Sequence, residues 1–272
     1  MAQIEKCFQY AQKFDRTLVV DINFSKTKEA NYKLSDFFTS KHNNLVCEIE
    51  KSEHYFDHLS VYPKVLEGIV DSYECTINSK SNVVVDVSSR EAITFDFNKE
   101  YIEDVLIHQQ WGGSPLFALN GLKRFKLSKK ISTELTKRIN QMGVEFDAIH
   151  IRNTDMKTNY LQYINEISSC QFQKLFLATD DLNVLNAFKS RFEGKIISFS
   201  FLPDNGGRPL HYSSQDYFVM MQDAICDLMM LGLSRKLFLC KVYNVPWTEY
   251  SGFSLLAKLI NQNKTIVSEL MY

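Results

Sequence analysis

A histidine, an arginine and an aspartate stand at H-x-R-x-x-D spacing in FDAIHIRNTD, as His150, Arg152 and Asp155. Phe146, Ala148, Ile149 and Ile151 make the run before them apolar, which predicts a buried strand. Side chains two apart on a strand share a face, so His150 and Arg152 point the same way. Arginine is seldom buried without an anionic partner. Its planar fork suits bidentate contact with phosphate or carboxylate. Asp155 either orients that fork or simply closes the turn as an ion pair. Spacing alone leaves both readings open.

Other groups could act with it. LATDD, residues 177–181, brings Asp180 and Asp181 to the end of a second apolar run. One side chain is enough to cap the helix that follows, so the other acid is available to Arg152 or to a ligand hydroxyl. GGRPLHY offers Arg208 and His211 beside a glycine pair that permits close backbone approach, with plain loop exposure as the alternative. Asp223 and Asp227 lie four apart on an apolar helix, hence on one face, and could be a solvated stripe. Asp227, however, falls between two apolar flanks. A partly buried carboxylate needs donors, and the two parallel donors of a guanine edge match one. Ser251, Gly252 and Ser254 open a helix in YSGFSLLAKL, where free amides and a hydroxyl suit an anion or a serine merely caps. His108, at a strand end before QQWGGS, is the candidate general base of the first half, a packing histidine being the alternative. There is no P-loop, dinucleotide glycine motif, G-x-S-x-G elbow or D-x-D metal motif.

The elements that must position these groups are clearest after residue 144. Strands FDAIHI, KLFLA, KIISFSF and KLFLC alternate with helical patterns at 160–170, 179–192, 216–233 and 252–262. That alternation predicts a parallel, doubly wound sheet. The first half reads less regularly. TLVVDI, LVCEIE, CTIN, VVVDV, AITFDF and DVLIH look extended, NYKLSDFF and YPKVLEGIVDSY helical. KKISTELTKRINQM is a polar helix with apolar Ile131, Leu135 and Ile139. The pattern renews near Gly143, which divides the chain into 1–143 and 144–272.

The 272 residues are 45% hydrophobic and carry 31 basic and 32 acidic side chains, a net charge of -1. That balance argues against a dedicated nucleic-acid binder. Six cysteines form no C-x-x-C pair and read as reduced thiols, which favours the cytoplasm. MAQIEKCFQYAQKFDR is amphipathic, a surface helix with at most peripheral membrane contact, and no segment reads as a membrane span.

The order HIRNTD, FLATDD, GGRPLHY, DAICDLMMLGLSRKLFLC, SGFS resembles the donor domain of the fucosyltransferases that share an H-x-R-x-x-D-like motif, over residues 144 to about 261. These include α-1,6, nodulation and α-1,2 enzymes and, more distantly, protein O-fucosyltransferases. The resemblance implies an α/β GT-B fold, two Rossmann-like doubly wound lobes with a cleft between them. Residues 1–143 would be the acceptor side and 144–272 the nucleotide-sugar lobe. It also implies metal-independent, inverting transfer from GDP-fucose to a glycan, as in surface polysaccharide synthesis, with no cofactor. Arg152 would hold the β-phosphate beside His150, and Asp227 the guanine edge. Ser251 and its neighbours would bind phosphate oxygens, and Asp180 and Asp181 would be the family's acid pair. Another nucleotide-sugar donor, or a non-catalytic binding descendant, are the alternatives. Asn153 stands where many members have a second arginine, Tyr160 where α-1,6 enzymes have a glutamate, and Ile22-Asn23 where Trp-Arg is usual.

Overall fold

The computed structural model describes residues 1–22, 32–48, 55–78, 83–143, 145–203 and 216–272. The chain forms two compact units, one of Met1–Asp21 and Ser40–Arg124, the other of Ile22–Thr39 and Phe125–Tyr272.

The first unit opens with helix α1 (Ala2–Lys13), whose Phe8, Tyr10 and Ala11 are buried, so its apolar face is part of the protein interior. After β1 (Leu18–Val19) the chain passes through β2 (Phe38–Ser40), then continues in β3 (Leu45–Val46), β4 (Val61–Tyr62), β5 (Cys75–Ile77), β6 (Val84–Asp86), β7 (Val105–Leu106) and helix α2 (Pro115–Lys123). Pairings are β1 with β3 and β4 with β7, both parallel, and β5 with β6, antiparallel. Val61, Leu66, Val70, Val84 and Ile93 form one small core, and Tyr10, Phe95 and Tyr101 another.

The expectation of a doubly wound first lobe is not met among the described residues. Its strands are two or three residues long and pair only in twos. YPKVLEGIVDSY contributes one 3-10 turn, Lys64–Leu66, because the chain leaves it at Gly68 with φ +76°, a left-handed conformation that ends a helix. AITFDF contributes a single bridge, Ala92 to Val85.

The second unit begins in earnest at β8 (Phe125–Leu127) and α3 (Lys129–Met142), the latter capped by the Ser128 hydroxyl accepting from the Ile131 amide. It continues as β9 (Asp147–Ile151), α4 (Tyr160–Ser168), β10 (Leu175–Thr179), α5 (Leu182–Arg191), β11 (Ile196–Ile197), α6 (Tyr217–Leu233), β12 (Leu237–Leu239), α7 (Gly252–Gln262) and α8 (Thr265–Met271). The division therefore falls at Arg124–Phe125, not at Gly143. The reason is packing: α3 lies against α6 of the second unit. Its buried stripe is Ile131, Leu135, Arg138 and Met142, so an arginine occupies a core-facing position.

The four strands are all parallel, in the order β11-β10-β9-β12, with Leu175 opposite Asp147 and Leu237 opposite Ala148. Every residue of β9 and β10 is buried, as expected of central strands covered on both faces. Ile149, Ile151, Leu175 and Leu177 pack with Ile164 and Ile167 of α4 and with Val184, Leu185 and Phe188 of α5. Helix α6 packs on β9 and β10 and against α7. From β9 the chain winds outward to β10 and β11, then returns to the other side of β9 as β12. Strand order reverses between β9 and β12, and ligands of open parallel sheets bind at the carboxyl ends of the strands flanking such a reversal.

Candidate functional site

A cleft of about 140 Å³ opens within the second unit, and its walls include His150, Arg152, Asp180, Ser200, Asp223, Asp227 and Phe253. These side chains come from the carboxyl ends of β9 and β10, from the segment after β11 (Ser200), from α6 and from the start of α7, beside the reversal point of the sheet.

His150 is buried, and its Nδ1 lies 2.7 Å from the Ser254 hydroxyl. That hydroxyl is 3.0 Å from the Ser251 hydroxyl, which also accepts from the Ser254 amide at 3.1 Å and so caps α7. The Phe253 ring lies against the imidazole, with centroids 4.8 Å apart. Burial, together with the neighbouring Arg152 cation, holds His150 down to about 3, so at neutral pH it is uncharged. The first amides of α7 are in different states. The Ser254 amide is taken by Ser251, while those of Gly252 and Phe253 have no acceptor among the described residues. The cap reading of Ser251 and the anion-site reading of the following amides are therefore compatible.

Arg152 lies at the mouth of the cleft. Its Nε is 2.7 Å from Asp155 Oδ1 and 3.0 Å from Asp180 Oδ2. Burial works against the cation, but the two carboxylates outweigh it and raise the pKa further. Burial likewise lifts Asp155, and Arg152 more than offsets this, leaving the carboxyl below its ordinary value. Both acids act on Nε. The Nη1 and Nη2 end of the fork has no partner among the described residues, and that end is the one that grips a phosphate bidentately.

Asp180 and Asp181 divide their duties. Asp180 accepts from the Asn153 amide at 2.7 Å and from the Thr154 hydroxyl at 2.5 Å. Asp181 caps α5 through the Asn183 amide at 2.8 Å and accepts from Asn153 Nδ2 at 2.8 Å. Asn153 Oδ1 also accepts from the Thr158 amide at 3.2 Å. The residue in place of a second arginine thus ties the loop after β9 to the loop after β10.

Asp227 is buried on α6, as its apolar flanks required. It accepts from Ser200 Oγ at 2.7 Å and from Arg138 Nη1 at 3.2 Å. Arg138 also bonds Asp223 through Nη2 and Glu134 through Nε at 3.0 Å. Asp223 accepts from the Phe201 amide at 3.2 Å. The solvated-stripe reading of the two aspartates is corrected, since both are buried against a cation. Burial pushes Asp227 up to about 7; Ser200 and Arg138 oppose the rise and Asp223 adds to it.

Sequence reasoning did not single out Arg138, Ser200 or Phe253. Arg138 left a signal, because 131, 135, 138 and 142 form a tighter helical stripe than one through Ile139. Ser200 and Phe253 left none beyond proximity to named motifs. Arg208 and His211 lie outside the described residues.

His108 belongs to the first unit and is half-buried there. Its Nδ1 is 2.8 Å from Thr94 Oγ1 and its Nε2 2.9 Å from Gln3 Oε1, with the Phe97 ring edge-on at 5.0 Å. Burial, with a smaller contribution from Lys6, holds it down to about 4. A general base needs a free nitrogen, and both are engaged, so the packing reading describes His108 better than the base reading.

The fold is similar to that of solved structures. The chain has a fucosyltransferase fold. The structure of the fucosyltransferase NodZ from Bradyrhizobium is similar at a TM-score of 0.58 with 13% identity, over 95% of this chain and 88% of that one. NodZ α-1,6-fucosyltransferase soaked with GDP-fucose is similar at 0.57 with 16% identity, over 95% and 87%. POFUT1 in complex with GDP is similar at 0.53 with 13% identity, over 96% and 91%. No protein-family model and no curated protein sequence matches the chain. The fucosyltransferase fold is thus held at an identity too low to transfer any residue's role. Among the described residues no group of His, Cys, Asp and Glu is arranged to hold a metal, and no helix is long and apolar enough to cross a membrane.

Proposed function

We propose that the protein is a glycosyltransferase that takes fucose from GDP-fucose and passes it to a glycan hydroxyl with inversion and without a metal. The observation that carries this is one cleft, at the sheet's reversal point, holding the fork end of Arg152, unpartnered among the described residues, and the carboxylate of Asp227. The first suits a diphosphate and the second a base with paired donors. NodZ with GDP-fucose and POFUT1 with GDP share the fold, which supports the donor assignment. The two-lobed GT-B reading goes with it, the second unit taking donor and the first the acceptor.

In this reading the bond between the sugar's anomeric carbon and the β-phosphate oxygen breaks as the acceptor oxygen bonds that carbon from the opposite side. The acceptor proton departs late, to water on the acceptor side, and the leaving diphosphate takes up the negative charge. Arg152 and the Gly252 and Phe253 amides neutralise that charge as it grows, which is the stabilisation that speeds the chemical step. Asp155 and Asp180 hold Nε and so fix the plane of the fork before the donor arrives. His150, neutral, supports α7 through Ser254 rather than adding charge. A role in surface polysaccharide synthesis in the cytoplasm is the setting that fits such an activity.

Donor hydrolysis without acceptor tests this, using GDP-fucose, GDP-mannose and CMP- and UDP-sugars in excess EDTA. The expected result is turnover of GDP-fucose alone. Turnover of another donor with GDP-fucose untouched overturns the assignment. GDP binding without turnover in any donor–acceptor pair marks a binding descendant, a reading that Asn153 and Tyr160 favour because each removes a charged group expected near the reaction.

A further inference from the structure

Arg138 lies behind the cleft and touches nothing that could be donor, yet it is among the most buried charged groups of the chain, 2% exposed. It reaches Asp227, Asp223 and Glu134 at once. Its guanidinium carbon sits 5.5 Å from the centre of the Phe199 ring, so the cation is also screened from water. We propose that Arg138 is the positioning residue for base recognition: it fixes the rotation of the Asp227 carboxylate and favours its ionised form, so that its remaining lone pairs face a base with two adjacent N–H donors. This rests on the guanine-nucleotide reading above.

The argument is one of valence and charge. An ionised carboxylate has about four acceptor positions. Arg138 occupies one on Oδ1 and Ser200 one on Oδ2, which locks the plane and leaves one on each oxygen. A protonated Asp227 would lose an acceptor and would present a donor to the base's N–H groups. The charges facing Asp227 decide which form exists. From α3 they are Arg138 and, through it, the quarter-exposed Glu134. From α6 they are Asp223 and Cys226, whose thiol is pushed up to about 12 by burial and stays neutral. From the ends of β9 and β10, Arg152, Asp180 and the neutral His150 line the same cleft. Arg138 is thus the cation bonded to Asp227, and it is shared with Asp223.

Removing Arg138 and removing its other aspartate, Asp223, therefore have opposite consequences for Asp227. Arg138→Gln strips Asp227 of its cation, and the loss of an adjacent opposite charge moves a carboxyl by about 1–3 pH units upward. Asp223→Asn removes a competing anion and moves it downward. GDP-fucose is the probe, because its diphosphate ester does not titrate between pH 5.5 and 8.5, about the range of the assay. Its dissociation constant is measured across that range for wild type, Arg138→Lys, Arg138→Gln and Asp223→Asn. The expected midpoint order is Asp223→Asn lowest, wild type and Arg138→Lys between, Arg138→Gln highest, with tightest binding on the alkaline side. A merely structural arginine would lower the melting temperature and leave the midpoints together, which overturns the proposal. If Arg138→Gln does not fold, Asp223→Asn still decides, since an unmoved midpoint there is equally fatal. Wild type that binds no GDP-fucose removes the donor reading and this proposal together; wild type that binds with coincident midpoints removes this proposal alone.

Discussion

Asn153 and Arg138 show what single residues reveal and conceal. Asn153 sits inside the recognisable motif and works as a brace between two loops, so a charge missing from the diphosphate side is a hydrogen-bonded tie gained. Arg138 sits in a segment read only as a polar helix, and nothing local marks its two aspartate partners, which are 85 and 89 positions away. Sequence spacing reports neighbours along one element. It does not report which buried cation meets which buried acid. His150 is the residue whose state is most testable. Its folded value, about 3, lies below the ordinary 6.5 of the unfolded chain. The stability it contributes is present above pH 6.5 and is lost as pH falls toward 3, because only the unfolded state takes the proton. One such group changes stability by up to about 1.4 kcal/mol per pH unit inside the window. Asp227, raised to about 7, acts in the opposite sense as pH falls from 7 toward 4. The comparison must therefore be between wild type and His150→Gln. We expect denaturant titrations from pH 7 to 4 to show the variant losing less stability than wild type. Parallel profiles would contradict a neutral, buried His150.

At the scale of elements, the second unit was legible because each strand and helix is long enough to show its own period. FDAIHI, KLFLA and the long helix at 217–233 all appear where the pattern put them. The first unit was not, because strands of two or three residues have no period to read, and Gly68 turned an apparent helix into one 3-10 turn. α2 and α8 were not anticipated. The contact between α6 and α7 sets the site most directly, since it places the start of α7 beside β9. Gly232 of α6 is where they meet: a Cβ there would lie 2.4 Å from Cγ2 and 3.1 Å from Cβ of Ile260 on α7. Those atoms are next to the backbone and cannot swing away. Overpacking costs about 1–3 kcal/mol, and the helix-propensity gain of about 1 kcal/mol over glycine returns only part of it. Gly232→Ala should lower stability in a denaturant titration and weaken GDP binding, because α7 carries Ser251, Gly252 and Phe253 with it. Unchanged stability and binding would mean that this contact does not set the position of α7.

For the whole molecule, one unit carries the ordered parallel sheet with its cleft, and the other is a set of short strand pairs around two small cores. Motif order along the chain anticipated the fold class that the solved structures share, although identity is only 13–16%. The compact units divide at Arg124–Phe125 while the sequence pattern restarts near Gly143, since a helix joins a compact unit by what it packs on. A near-neutral surface, with net charge -1, supplies no broad attraction for a nucleotide, so binding must come from local groups. Arg152 is the group on which that local binding turns. Its fork end has no partner among the described residues, and a charge-assisted pair to a phosphate contributes about 1.5–3 kcal/mol, or about 10- to 150-fold in affinity. The decisive measurement is calorimetric titration of GDP and GMP into wild type and Arg152→Ala. The account predicts that the variant loses at least about tenfold for GDP, and distinctly less for GMP, which lacks the β-phosphate. Equal GDP affinities in the two proteins would contradict it.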